Sequence, residues 1–277
     1  LLPAQPSAGR RHCNPQGRSA GWCYGIIATP LIDAKPLNRI YFSDPIPAHG
    51  RCRLPTAKAH HIAHVLRLAV GDAVVLFDGR GAAWDAVIAT IARGEVEVQI
   101  KNARDEDCES PLRVTLAQAV SSGERMDYTI QKAVELGVST IQPLLAERCV
   151  VRLSGERAAK RVVHWQAVVN SACEQCGRNT VPEVRPLLGL REWLDVAAAA
   201  SGLRLLLAPQ ATLRLRELER PADVTMLAGP EGGFAEGEIA DVLRAGFQAL
   251  RLGPRVLRTE TAAVALLAAM QAQWGDF

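Results

Sequence analysis

The stretch Leu252-Gly253-Pro254-Arg255-Val256-Leu257-Arg258-Thr259-Glu260-Thr261-Ala262 decides how this chain is read. An apolar run precedes it and a long apolar helical pattern follows. Its companion, Gly229-Pro230-Glu231-Gly232-Gly233-Phe234, also joins a strand-like run to a helix-like run. A glycine-bearing turn at the start of a helix presents free backbone N–H groups and the positive end of the helix dipole. Either turn alone is better read as an ordinary strand-to-helix connection. Two of them in one short region, with Arg258, Glu231 and Glu260 among their residues, point to a site. Following successive strands of a parallel sheet, they are expected side by side at the edge where α/β proteins take their ligands.

Outward from these turns, residues 224–228 and 247–252 read as the strands that lead into them, and 235–245 and 261–274 as the helices that leave. Upstream, 112–117 is a strand. A helix over 123–136 stops at Gly137, a residue suited to the position just past a helix end. A strand over 138–145 and a long helix over 156–176, stopped by Gly177, come next. Residues 190–200 are helical, 203–207 form a buried-type strand ending at Pro209, and a short Leu/Arg/Glu helix follows. Strands alternating with helices make this region α/β, with a parallel sheet covered on both faces.

Before residue 111 the periodicity differs. Residues 39–42 form a strand, broken by Pro45, Pro47 and Gly50, and Thr56 caps a short helix containing Ile62, Val65 and Leu66. Residues 74–78 and 84–88 are strands around Gly79-Arg80-Gly81, and 95–100 alternate cleanly. The Gly79 turn begins like a dinucleotide fingerprint, but its third glycine is missing and a strand follows, so it is a hairpin. The expectation is a small β-barrel-like domain with one helix, joined through Asp105-Glu106-Asp107. Residues 1–38 lack periodicity and are read as a disordered extension.

The chain has 277 residues and a net charge of +3, the balance of a soluble globular protein whose mild basicity permits an RNA partner. No uninterrupted apolar run is long enough to span a bilayer. Seven scattered cysteines read as reduced thiols in the cytoplasm. Cys173 and Cys176 have CxxC spacing but lie inside a helical pattern. His60 and His64 are one turn apart without an HExxH pattern, so no metal is expected. Phosphate loops and the GxSxG elbow are absent. What remains is a pocket of backbone amides with apolar walls from Leu252, Val256, Leu257 and Ala262, suited to a nucleoside-bearing ligand.

Gly229-Pro-Glu-Gly-Gly-Phe234, Leu252-Gly-x-Arg-x-Leu-Arg-x-Glu-Thr-Ala262, Gln131-Lys-Ala-x-Glu-Leu-Gly-Val138 and Glu174-Gln-x-Gly-Arg178 together resemble the ribosomal RNA small subunit methyltransferase E family. Arg39-Ile-Tyr41 and His60-His-x-x-His-Val-Leu-Arg67 resemble its N-terminal domain. The resemblance runs from about residue 39 to the end. It implies a PUA-like RNA-binding domain over 39–108 and a methyltransferase domain of the SPOUT superfamily over 111–277, with a trefoil knot near the carboxyl end. It implies S-adenosylmethionine as cofactor, a homodimer, and 3-methyluridine in the decoding region of 16S ribosomal RNA, within the 30S subunit, as product. Ser121-Ser122 stands where the family often has Lys, and Cys149 and Cys176 where Ser is common.

On this resemblance the cofactor is expected against Gly229, Gly232, Gly233, Leu252, Gly253, Leu257, Thr261 and Ala262. Arg258 is the candidate to hold negative charge on a uracil oxygen or grip a phosphate, and Glu231 to accept the N3 proton or orient the base. Arg39, Arg67, Arg80 and Arg178 are candidates for RNA phosphates. Competing readings are a knotted methyltransferase acting on a ribose 2′-hydroxyl and a non-catalytic ribosome assembly factor.

Overall fold

The computed structural model describes residues 37–277 apart from 93, 199 and 200. The expected extension therefore lies outside the described residues, save for Leu37 and Asn38. The described chain clusters as one unit built on two sheets.

The first sheet contains β1 (Asn38–Tyr41), β2 (Gly50–Arg53), β3 (Ala73–Phe77), β4 (Ala83–Ala92) and β5 (Glu95–Arg104), in the order β1-β3-β4-β5-β2. β1 runs parallel to β3, and the other pairs are antiparallel. α1 (Thr56–His60) leads into a π-helical turn, His61–Val65. β2 was not legible in the sequence. It is four residues long, only Cys52 in it is buried, and the break signals beside it were the stronger pattern. This sheet has its own core, in which Ile40, Leu54, Ile62, Leu76, Ile88 and Val98 are buried.

The second sheet uses β6 (Arg113–Ala119), β7 (Thr140–Leu145), β8 (Glu183–Val184), β9 (Leu188–Gly189), β10 (Leu203–Leu207), β11 (Asp223–Ala228) and β12 (Gln248–Leu250). The order is β12-β10-β11-β6-β7-β8, with β9 beside β7, and every pairing is parallel. Side chains of consecutive strand residues point to opposite faces. Leu116 and Ala117, Leu205 and Leu206, and Met226 and Leu227 are all 0% exposed, so both faces of the sheet are covered. The covering helices are α2 (Arg125–Glu135), α3 (Gly155–Cys176), α4 (Leu190–Ala198), α5 (Glu236–Arg244) and α6 (Thr259–Trp274). α2 packs against both α3 and α6, and α4 against α5.

The glycine turns follow β11 and β12, but these strands are not neighbours, because β10 lies between them. The carboxyl end of β10 therefore forms the floor between the two turns.

Candidate active site

A cavity of about 680 Å³ opens at the carboxyl ends of β10, β11 and β12. Three segments build its walls: Leu206 to Gln210 after β10, Ala228 to Phe234 after β11, and Leu250 to Glu260, apart from Pro254, after β12. Arg125, Arg148, Ile239 and Ala262 complete the lining. This is the edge at which parallel α/β sheets receive ligands, because strand ends and helix starts leave backbone groups unpaired there.

Thr259 ties the turns together. Its Oγ1 donates to the Gly229 carbonyl at 2.5 Å and accepts from Gln118 Nε2 at 3.1 Å. Gln118 is fully buried, the penultimate residue of β6, and reaches the Gly229 carbonyl itself at 3.5 Å. A buried amide held on both corners sets their separation.

The first corner is close-packed. A Cβ at Gly229 would stand 3.2 Å from the Phe234 ring, and one at Gly232 would stand 3.1 Å from Arg148 Cβ. Gly233 has φ +67°, the left-handed region that glycine enters without cost. A side chain at Gly229 or Gly232 would crowd Phe234 or Arg148, and one at Gly233 would be strained.

Glu231 sits at the rim. Its Oε1 accepts from the Ser122 amide at 2.8 Å, the Ser122 hydroxyl at 2.7 Å and the Arg125 guanidinium at 2.9 Å. Burial by itself would raise this carboxyl. The Ser122 amide and hydroxyl and Arg125 outweigh it, and the net pKa falls from 4.5 to about 2. A carboxylate this weakly basic is a poor acceptor for the N3 proton of uracil. Of the two roles expected for Glu231, proton acceptance is disfavoured, and orientation of the rim is what its geometry serves.

Arg258 is exposed, lines the cavity and occupies the cap position of α6. Among the described residues it has no ion-pair partner. Its neighbour Glu260 instead lies 3.9 Å from Arg125. Arg255 is likewise exposed on the cavity, and Arg148 reaches the Gly232 carbonyl at 3.3 Å. The mouth is therefore rimmed by guanidinium groups, while its depth is apolar.

Of the residues expected around the cofactor, Gly229, Gly232, Gly233, Leu252, Gly253, Leu257 and Ala262 all line this cavity. Thr261 does not. α6 starts at Thr259, not Thr261, and at about 100° per residue Thr259 shares a face with Ala262 and Ala263 while Thr261 turns outward, exposed. The sequence reading also missed Gln118, Arg125, Arg148, Thr259 and residues 206–210. A usable signal exists in the sequence: every segment leaving the carboxyl end of a parallel strand is a candidate wall, and Leu207-Ala208-Pro209 is such a segment.

The arginines expected at RNA phosphates differ in exposure. Arg178 is 4% exposed, with Nε and Nη2 on Glu109 Oε2 and Nη1 on the Val134 and Val138 carbonyls. Arg39 gives Nη2 to Asn179 Oδ1 at 2.6 Å and lies over the Phe77 ring, and burial, then the nearby charge of Arg104, lowers its pKa. Arg178 is thus closed off from a phosphate, while Arg39, half-buried, has its Nη2 already committed. Arg67, at a left-handed φ of 53°, and Arg80, in the β3–β4 hairpin, are exposed.

Cys173 and Cys176 lie in the last turn of α3. Burial pushes the Cys173 thiol up to about 12 and raises Cys176 as well, so neither is a ready thiolate.

With this geometry in place, comparison with known proteins is specific. Residues 108–271 match the family model described as an RNA methyltransferase domain, and residues 54–101 match that of an RNA methyltransferase PUA domain. The ribosomal RNA small subunit methyltransferase E of Buchnera aphidicola subsp. Schizaphis graminum is 35% identical over 243 residues, covering 87% of this chain and 98% of that protein. Its namesake from Neisseria gonorrhoeae, in a crystal structure bound to S-adenosyl methionine, is 46% identical with a TM-score of 0.82, over 87% of this chain and 99% of that one. A methyltransferase from Legionella pneumophila, in complex with the bound cofactor SAM, is 40% identical with a TM-score of 0.83 over the same shares. The small sheet is thus a PUA-like domain carried ahead of a parallel α/β domain, and the chain belongs to the ribosomal RNA small subunit methyltransferase E family.

Proposed function

We propose that this protein methylates N3 of a uridine in the decoding region of 16S ribosomal RNA, using S-adenosylmethionine bound between the two glycine corners. The observation that carries this reading is the joining of the corners through Thr259 around one cavity, at whose mouth Arg258 has no ion-pair partner among the described residues. The lining suits the cofactor. Leu206, Leu252, Leu257 and Ala262 offer apolar contact to a flat base, and the corners offer backbone groups to its polar edge. When bound, the cofactor supplies a methyl group made electrophilic by a sulfonium.

The residues of this chain do the rest. Uracil N3 is a poor nucleophile until its proton passes to solvent water and charge spreads onto the ring oxygens. Arg258, beside the positive end of α6, stabilises that charge where it develops. Glu231 stays ionised and, through Ser122 and Arg125, fixes the rim against which the base is placed. Excess positive charge from Arg148, Arg255 and Arg258 draws the RNA backbone to the mouth. The reading includes a PUA-like domain over 39–108, a SPOUT domain with its knot over 111–277, and presentation of the RNA by the 30S subunit in the cytoplasm. It also includes a homodimer, for which the alanine-rich α6 offers close approach.

The test is methyl transfer from labelled cofactor to 30S subunits and to naked 16S RNA, followed by nucleoside analysis. 3-Methyluridine is the expected product, and a 2′-O-methyl nucleoside or no transfer overturns the assignment. Arg258→Ala should bind the cofactor with wild-type affinity and lose roughly 10²–10³-fold in single-turnover rate. A variant that transfers at the wild-type rate removes Arg258 from the chemistry.

A further inference from the structure

We infer that the segment Glu174-Gln175-Cys176-Gly177-Arg178, with Asn179, is a positioning joint that holds the PUA-like domain at a set distance and angle from the methyl-transfer cavity. The inference rests on the function proposed above, since it gives that arrangement its use: a bulky RNA docked on one part is presented to the other.

On the PUA-like side, every contact is directional. Glu174, in the last turn of α3, accepts from the Tyr41 backbone N–H at 2.9 Å and from Lys58 Nζ at 2.5 Å. β1 is an edge strand, whose outward N–H groups otherwise stay open, so this carboxylate closes the edge and anchors α1 together. Gly177, at φ +94°, then turns the chain out of the helix. The turned segment pairs with the β3–β4 hairpin: Gly81 N donates to the Asn179 carbonyl at 3.3 Å and Val181 N to the Gly79 carbonyl at 3.0 Å. Arg39 reaches across to Asn179 Oδ1 and to the Arg178 carbonyl at 3.2 Å.

On the catalytic side, Arg178 spends its donors on Glu109 and on the carbonyls of Val134 and Val138, where α2 ends and β7 is about to begin. α2 starts at Arg125, which holds Glu231 on the cavity rim. Its 11 residues span about 16 Å at 1.5 Å per residue. α6 runs the same course. It starts at Thr259 in the cavity, and Gln271 near its far end donates to the Leu136 carbonyl at 2.8 Å and accepts from Ser110 at 2.8 Å. Two packed helices therefore run from the cavity to the joint. Charge-assisted hydrogen bonds have preferred distances and angles, which interchangeable apolar contacts lack.

A looser joint lowers the effective concentration of the target base at the cavity without altering the cavity. The test uses Glu174→Gln and Lys58→Met in the full protein, with 30S subunits as substrate. Each variant removes one charge from the joint, and neither residue lines the cavity. The KM for subunits should rise about tenfold, with kcat and the calorimetric affinity for S-adenosylmethionine within twofold of wild type. The double variant should be little worse than either single one, because both break the same pair. Lys58→Arg should restore the wild-type KM. An unchanged KM in both single variants overturns the inference, as does a loss of kcat or cofactor affinity in step with KM, which marks a structural role only. Wild-type protein that transfers no methyl group to any RNA overturns the functional reading itself.

Discussion

Glu231 carries a charge that its neighbours hold in place, and this has a consequence for stability. Its folded pKa, about 2, lies below its ordinary 4.5. A depressed carboxyl contributes stability in full above its unfolded value and loses it as pH falls through the folded one. The contribution of Glu231 is thus complete above about pH 4.5 and is shed on the way down to about pH 2. Urea unfolding from about pH 5 to about pH 3 should show a shallower acid loss in Glu231→Gln than in wild type. Parallel curves would mean that Ser122 and Arg125 do not hold the charge. Thr259 makes a second prediction at this scale. Thr259→Val keeps the shape but leaves the Gly229 carbonyl without its hydroxyl donor and Gln118 Nε2 without one acceptor, a cost of about 1–3 kcal/mol. Calorimetry should show weaker S-adenosylmethionine binding, because the corners are no longer tied. Unchanged affinity would show that the tie does not shape the cavity.

Among the elements, α2 and α6 matter most, since each begins at the cavity and ends against the joint. α2 stops because Gly137 turns the chain at φ +78°, tight against α6: a Cβ there would stand 2.7 Å from Gln271 Nε2 and 2.8 Å from Ser110 Cβ. Gly137→Ala therefore adds a strained conformation to a clash and should destabilise by about 1–3 kcal/mol in urea unfolding. An alanine protein of wild-type stability would show that this contact has room to give. The helix stops at Gly137 and Gly177 were legible because glycine past a helix end has a local cause. β2 and β8 were not, since a strand of two to four residues is stabilised by its partner strand and carries little pattern of its own.

At the scale of the molecule, Arg67 and Arg80, the two of the four candidate arginines that are exposed, are the ones to test against RNA. Each Arg→Gln change should reduce the salt dependence of RNA affinity, lowering the log–log slope by about one if it neutralises one phosphate. A slope equal to that of wild type in both variants would move the RNA face elsewhere. The other two candidates show why charge in a sequence is ambiguous. Arg39 and Arg178 have the same side chain as Arg67 and Arg80, yet the fold buries one against Glu109 and half-buries the other against Asn179. Nothing local distinguishes them, because their partners lie 69 and 140 residues away.

From the sequence alone came the alternation of strands and helices, the two glycine corners, and most of the cavity lining, because turn chemistry and hydrophobic period act between near neighbours. Only the tertiary structure decided that β10 floors the space between the corners, that Thr259 and not Thr261 faces inward, that Glu231 is bound by Ser122 and Arg125, and that Arg178 is internal. Each of these depends on strand order or on partners far along the chain, and such pairings are set by the packing of the whole.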